Sequence, residues 1–280
     1  GVYIEAAQPI FTNVNFINNS ANTGGGIYCS GWESLATFIS CSFINNSAYD
    51  SGAIYVTGSS QVLIEETSII SNAATSSGNF LKSGGIMIPN GSATIIGTIV
   101  WDNTPYNLQF NEAGPDSFFI SYSNIQGGLN EIEIQDNSQY VEWAETNIDL
   151  PPIFCNPDSG DYTLAENSPC VGTGENGANM GAFGVGCEEI NLAPVLTTIE
   201  DQQIAEDSIL TIGVSATSYL GYSMSFTATS NTSDVEVSIE DTNLTATPSL
   251  NWFGSSVITV IATDENELFD TTGFTLTVNA

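Results

Sequence analysis

The chain contains no histidine, no arginine and a single lysine, Lys82. Without histidine, Ser-His-Asp hydrolysis is excluded. So, in practice, is a zinc site, because no Cys-x-x-Cys pair compensates. Without a basic cluster there is nothing to hold a phosphate backbone, so nucleic acid is excluded as a partner. Anionic membrane surfaces are disfavoured for the same reason. No apolar run approaches the length of a membrane span, so membrane insertion is not expected. There is no secretory leader pattern, and residue 1 is glycine. Phosphate loops and dinucleotide fingerprints are also missing.

Against that one lysine stand 32 acidic residues, for a formal net charge of -31. Such a surface invites divalent cations or cationic partners and keeps the chain soluble. It fits a secreted protein from a saline or calcium-rich setting. The chain is nonetheless no disordered polyanion. Short runs of Ile, Val, Thr, Phe and Tyr lie between Gly, Asn, Ser and Asp throughout, an all-β signature.

One phrase recurs. Asn15-Phe16-Ile17-Asn18-Asn19-Ser20-Ala21 returns as Ser42-Phe43-Ile44-Asn45-Asn46-Ser47-Ala48, then as Ser68-Ile69-Ile70-Ser71-Asn72-Ala73-Ala74, and faintly as Thr98-Ile99-Val100-Trp101-Asp102-Asn103. Glycine-led apolar runs follow the first three: Gly26-Ile27-Tyr28-Cys29, Ala53-Ile54-Tyr55-Val56 and Gly85-Ile86-Met87-Ile88. A period of roughly 26 to 32 residues means a solenoid whose units bury their apolar faces only by stacking. With Phe16 inward, the strand period of two predicts an internal stack of Phe16, Phe43, Ile69, Ile99 and Ile125. A second stack holds Ile27, Ile54 and Ile86. Asn15, Ser42, Ser68 and Thr98 form an outward polar row, and Tyr28 and Tyr55 share one outward position.

Asn19, Asn46, Asn72 and Asp102 fall at one position just past a strand. There, stacked amides can bond up and down the solenoid and tolerate a left-handed corner. Asn18, Asn45, Asn90, Asn231 and Asn243 stand in N-x-S/T contexts, the alternative being glycosylation. Five cysteines, Cys29, Cys41, Cys155, Cys170 and Cys187, suit an oxidising compartment, and their odd number leaves at least one thiol unpaired. Cys29 and Cys41 both face the lumen, where they are either bridged or two buried thiols.

The repeat weakens after Asn107, with Phe118–Ser123 and Ile132-Glu133-Ile134 reading as further coils. Residues 151–190 are rich in turns and read as a cap closing the apolar stack. The first strand, Gly1-Val2-Tyr3-Ile4, looks like half a coil with an open edge. That implies a segment of a longer polypeptide or a subunit covered by a neighbour. After a polar hinge at 188–194, strands at Leu210–Val214, Met224–Ala228, Val235–Ile239, Val257–Ile261 and Phe274–Val278 suggest a β-sandwich.

The F-x-N-N-x-A…G-G-A-I-Y pattern of the repeats resembles the right-handed parallel β-helices of bacterial secreted and surface proteins, of pectate-lyase-like and polymorphic outer-membrane-protein type. Asp149–Phe154, Asn156–Leu164, Asn167–Cys170 and Asn179–Phe183 resemble the segment that often closes such helices. Ala193-Pro194-Val195-Leu196, Ala205-Glu206-Asp207, Pro248–Gly254 and Ala262–Asn266 are similar to bacterial cadherin-like and immunoglobulin-like tandem repeats. The resemblance implies an all-β chain: a right-handed parallel β-helix solenoid over 1–150, its closing segment over 151–190, and a C-terminal immunoglobulin-like β-sandwich over 191–280. Many such repeats bind calcium through D-x-D-G-D. Here that turn reads Ser218-Tyr219-Leu220-Gly221-Tyr222, which leaves Glu206, Asp207, Asp264 or Glu265 for a weak site. No other cofactor is implied.

Lyases of the β-helix kind need a basic residue, and Lys82 sits alone in the loop Ser76 to Ser83. Hydrolases need paired carboxylates, but Asp102, Asp116 and Asp136 do not fall at comparable positions, and Glu65 and Glu66 point to opposite faces. Trp32, Trp101, Tyr28 and Tyr55 could instead line a sugar-binding face. The expectation is a non-enzymatic extracellular or cell-surface module, structural or adhesive. It would associate head-to-tail in a filament or sit in a string of domains, with surface glycans as further partners. The alternative is a carbohydrate-binding or lyase-like protein.

Overall fold

Each repeat breaks into strands of two to six residues because left-handed corners interrupt it. One corner is formed by Asn13, Ser40, Glu66, Gly97 and Tyr122, the next by Asn18, Asn45, Ser71 and Asp102, all with φ between 46 and 58°. Asn, Asp and Gly tolerate that region best, and the other residues there are held by the turns above and below. The computed structural model describes residues 1–76, 82–110, 116–132 and 138–280. It divides into two units, Gly1–Ile190 and Asn191–Ala280.

The first unit is a parallel β-solenoid. Face A stacks Val2–Glu5, Ile27–Ser30, Ile54–Val56, Ile86–Ile88 and Leu108–Phe110. Face B stacks Ile10–Thr12, Leu35–Ile39, Ser60–Glu65, Gly91–Ile96, Ser117–Ser121 and Tyr140–Trp143. Face C stacks Asn15–Ile17, Ser42–Ile44, Ser68–Ile70, Ile99–Trp101 and Asn124–Ile125. A short fourth ladder joins Ser20–Ala21, Ser47–Ala48 and Ala73–Ala74.

Inside, the side chains pile up in register. Phe16, Phe43, Ile69, Val100 and Ile125 form one column, with the Phe16 and Phe43 rings 4.6 Å apart and nearly parallel. Ile27, Ile54, Ile86 and Leu108 form another. Phe11, Phe38, Ile64, Ile95 and Ile120 form a third. Each fully buried member contributes about 1.5–3 kcal/mol.

Two expectations need correction. The fourth repeat is shifted by one residue: Ser68 pairs with Ile99 and Ile69 with Val100. Ile99 therefore points outward and Thr98 leaves the outer row. The outer row meets solvent at Asn15 but not beyond it, because Ser42 and Ser68 are buried.

What buries it is residues 151–190, whose described contacts run along the flank of face C rather than across the end of the stack. Its sheet joins Phe154–Asn156, Asp161–Ala165 and Val185–Cys187. Leu164, Cys170 and Met180 pack on Ile99 and Trp101, and Tyr162 packs on Ile44 and Ile70. Gly181 N–H donates to Gly97 O at 2.7 Å, and Ala182 N–H to Ser68 Oγ at 2.9 Å. The outward isoleucines of face C are too apolar for water, and this segment is a strap over them. Of the coil expected at 132–134, Ile132 is buried just after a 3-10 turn at Gly128–Glu131. Glu133 and Ile134 lie outside the described residues.

The second unit is a β-sandwich. A four-stranded sheet runs in the order Gln202–Ala205, Phe269–Asn279, Gly254–Asp264, Met224–Ser230; a three-stranded one runs Leu210–Gly213, Asn243–Pro248, Val235–Glu240. Ile258, Val260, Phe274 and Leu276 of the first meet Leu210, Val235 and Leu244 of the second in one core. Asn243–Pro248 and Gln202–Ala205 were not anticipated; their apolar alternation is weak.

Candidate functional site

The most organised polar feature is a ladder of asparagines directly after the second corner. At each step the backbone N–H and Nδ2 of one amide donate to Oδ1 of the next. The distances are 3.0 and 2.9 Å from Asn19 to Asn46, 2.8 and 2.9 Å from Asn46 to Asn72, and 3.0 and 2.8 Å from Asn72 to Asn103. Asn103 passes the pattern to Asn107 at 3.3 and 2.8 Å. The Nδ2 of the three middle amides also reaches back one turn: Asn46 to Phe16 O at 2.8 Å, Asn72 to Phe43 O at 2.9 Å, Asn103 to Ile69 O at 2.8 Å. One side chain thus ties three turns together. Asp102 is not a rung. It is the corner residue itself, and its N–H donates to Gln126 Oε1 at 2.7 Å. A carboxylate has no N–H to give and could not replace Asn103.

A second ladder, not foreseen, follows the first corner. Cys41 N–H donates to Thr67 Oγ1, Thr67 N–H to Thr98 Oγ1, Thr98 N–H to Ser123 Oγ and Ser123 N–H to Asn147 Oδ1, at 3.2, 3.3, 3.1 and 3.0 Å. The hydroxyls donate back to Glu65 O, Ile96 O and Ser121 O. The sequence signal is a small polar residue immediately before each face C strand after the first, which Val14 precedes.

Cys41 occupies the thiol version of this position, with Sγ 3.4 Å from both Ile39 O and Phe11 O. It is not bridged to Cys29. Both are buried free thiols, as is Cys170. Burial raises the pKa of Cys29 and Cys41, and pushes Cys170, which accepts a 3.1 Å hydrogen bond from Asn124 Nδ2, up to about 11. The unfolded thiol titrates near 9.0. Cys170 is therefore neutral in both states below pH 9, and only the unfolded chain loses its proton between pH 9 and 11. Stability falls across that window by about 3 kcal/mol. Urea unfolding from pH 8 to 11 is expected to show this loss, and Cys170→Ala to show a smaller one, the remainder coming from Cys29 and Cys41, whose thiols burial also raises.

The bridge is Cys155–Cys187, spanning 32 residues. It joins the strap's outer strands and closes a loop worth about 3–4 kcal/mol to the strap. After reduction, amides of Asp161–Ala165 are expected to exchange faster by hydrogen exchange, while those of Asn46 and Asn72 do not change.

The remaining candidates do not converge. Glu206 N–H bonds Asn279 O, whereas Asp264 N–H bonds Leu268 O. The two acidic pairs therefore sit at opposite ends of the 11-residue strand Phe269–Asn279, about 30 Å apart. The four residues cannot share one calcium. Asp264 Oδ1 accepts from Asn266 and Leu268 N–H, and its buried Oδ2 has no hydrogen-bond partner. Asp207 Oδ1 accepts from Asn251 N–H and Glu265 Oε2 from Ser223 Oγ. Among the described residues no three His, Cys, Asp or Glu side chains gather to hold a metal.

Lys82 Nζ donates to Ser76 O across its own loop. Asp116 is buried with Oδ1 on Gly91 N–H, and Asp136 lies outside the described residues. Glu66 is a corner residue. Trp101 packs under the strap. Tyr28 and Tyr55 stack as expected, joined by Tyr3, with centroids 5.3 Å apart at each step. Stacked in this way, the tyrosines cover each other's faces and present edges. The five N-x-S/T asparagines are all exposed. Asn18 and Asn45 are left-handed corners, and Asn231 Oδ1 accepts from Val257 N–H and Ser256 Oγ.

No protein-family model matches the chain, and no curated protein matches it in sequence. Among solved structures it is similar to a nucleoside hydrolase-related hypothetical protein from Saccharophagus degradans associated with carbohydrate metabolism, at 14% identity over 32% of this chain, TM-score 0.29. It is similar to titin domain M7 at 17% identity, covering 33% of this chain and 99% of that one, TM-score 0.25. A chimeric titin Z1Z2 carrying a decorin peptide stands at 18% identity, covering 33% of this chain and 99% of that one, also TM-score 0.25. The chain spans 26% of the length of the first. Likenesses this slight carry no functional argument.

Proposed function

We propose that the protein is a non-enzymatic structural or adhesive module working outside the cell or on its surface. In this reading the solenoid is a right-handed β-helix of the bacterial secreted type, and the sandwich is an immunoglobulin- or cadherin-like unit. The module is joined head-to-tail to copies of itself or to further domains of one long chain. The observation that carries the reading is where the buried polar side chains go: into rung-to-rung bonds from Asn19 to Asn107 and from Cys41 to Asn147. A disulfide is compatible with an oxidising location. With one lysine and no arginine, trypsin-like proteases have a single place to cut.

The rival is carbohydrate binding. It rests on Trp32, 77% exposed, beside an open groove of about 550 Å³ with Gln8, Leu35 and Gln61. The test is a glycan array with a polysaccharide turnover assay, with and without calcium. Neither binding nor turnover is expected. Saturable glycan binding lost in Trp32→Ala, or turnover lost in Lys82→Ala, would overturn the proposal. Electron microscopy at high concentration then separates a filament subunit, seen as end-to-end rods, from a module of a longer chain, seen as monomers.

A further inference from the structure

Asn90-Gly91 lies where face B begins its fourth strand, and the glycine is dictated by packing: a Cβ there would stand 2.3 Å from Ser60 O. An Asn–Gly step is the least hindered setting for attack of a backbone nitrogen on the preceding side-chain amide, because no Cβ shields the nitrogen. What surrounds this step is more specific. Asn90 Oδ1 accepts two hydrogen bonds, from Ser59 N–H and from Ser59 Oγ, each 3.0 Å. The Ser59 N–H is shared with Asn90 O, also at 3.0 Å. Gly91 N–H donates to Asp116 Oδ1 at 2.9 Å, and Asp116 is fully buried. A carboxylate therefore sits on the proton that the nucleophile must lose. Two donors sit on the oxygen that must gain charge, the arrangement general-base and oxyanion catalysis require.

We propose that Asn90 is a self-modifying residue, with Asp116 and Ser59 as its catalytic residues. The Gly91 nitrogen attacks Asn90 Cγ while Asp116 takes its proton. The new N–Cγ bond places negative charge on Oδ1, where Ser59 holds it. The Cγ–Nδ2 bond then breaks, Asp116 returns the proton to Nδ2, and ammonia leaves. Water opens the resulting succinimide to aspartate or isoaspartate, so the balance is one water in and one ammonia out, with no redox change. The isoaspartate product adds a methylene to the main chain at the entry to Gly91–Ile96. The step is a chemical clock within one face of the solenoid.

The chain carries its own control, Asn176-Gly177, an exposed step whose Gly177 N–H meets only a backbone carbonyl, Gly174 O at 3.2 Å. Protein made in a host without N-glycosylation is incubated at neutral pH and physiological temperature. Peptide mapping by mass spectrometry then follows amide-to-acid conversion at both sites, in the folded chain and in the reduced chain in urea. In the folded chain Asn90 is expected to convert at least about tenfold faster than Asn176, with the gap vanishing in urea. Asp116→Asn is expected to lose the excess at Asn90, and Ser59→Ala, which keeps the N–H donor and removes the hydroxyl, to lose part of it; both leave Asn176 unchanged. If folded Asn90 converts no faster than Asn176, the bonds from Ser59 and to Asp116 merely pin the turn, and the proposal falls. That comparison needs no variant to fold.

Discussion

Replacing Asn72 with alanine is expected to lower the unfolding free energy by about 4 kcal/mol. The side chain is fully buried. Its loss strands the Asn46 N–H and Nδ2 that donate to it and the Phe43 and Ile70 carbonyls that accept from it. All of these groups belong to buried residues. Asn72→Asp is the sharper probe. It keeps the shape and the acceptor but turns the donor into a second oxygen, facing Phe43 O, Ile70 O and Asn103 Oδ1. The folded state then disfavours the charged carboxylate, so its pKa is raised on folding. The destabilisation is greatest at neutral pH and shrinks as the acid protonates on lowering pH. Chemical denaturation of both variants at two pH values checks this. Asn45→Ala, at the exposed corner beside the ladder, serves as the contrast and is expected to cost about 1 kcal/mol, the left-handed preference alone.

Gly52→Ala is expected to be worse, at least about 4 kcal/mol and enough to prevent the solenoid from forming at moderate temperature. A Cβ at this position would lie 2.5 Å from Ala73 N, 2.6 Å from Gly84 O and 2.8 Å from Ala73 O. All three are main-chain atoms of the neighbouring turn, so no side chain can swing aside. Gly184→Ala, with nothing within 4 Å of its Cβ, is expected to change stability by less than about 0.5 kcal/mol. Thermal melts of the two variants side by side give the answer.

The solenoid was readable because its signal repeats: Phe16, Phe43 and Ile69 need only the strand period to line up. The reading slipped by one residue at the fourth repeat, where Ile99-Val100 offered two apolar side chains for one inward slot. The chemistry of the amide would have decided it, since Asp102 cannot donate and Asn103 can. The hydroxyl ladder was hidden because Cys41, Thr67, Thr98 and Ser123 share only small size and polarity. The strap was read as a cap because the sequence shows its turns but not its destination. That lies in Ile44, Ile70 and Ile99, apolar residues on the outer side of strands that looked half-solvated. The four acidic residues of the second unit are close in composition but belong to turns that an 11-residue strand holds apart.

Successive amides in the asparagine ladder are 27, 26 and 31 residues apart along the chain, yet each hands on the same pair of bonds. The corner thus counts coils, not residues. The longer stretch of chain between Asn72 and Asn103 leaves the column unbroken. A whole coil inserted or deleted between two such amides leaves every remaining contact of its kind intact, so length is a free variable for this architecture. The chain can be made taller or shorter by unequal duplication, one storey at a time.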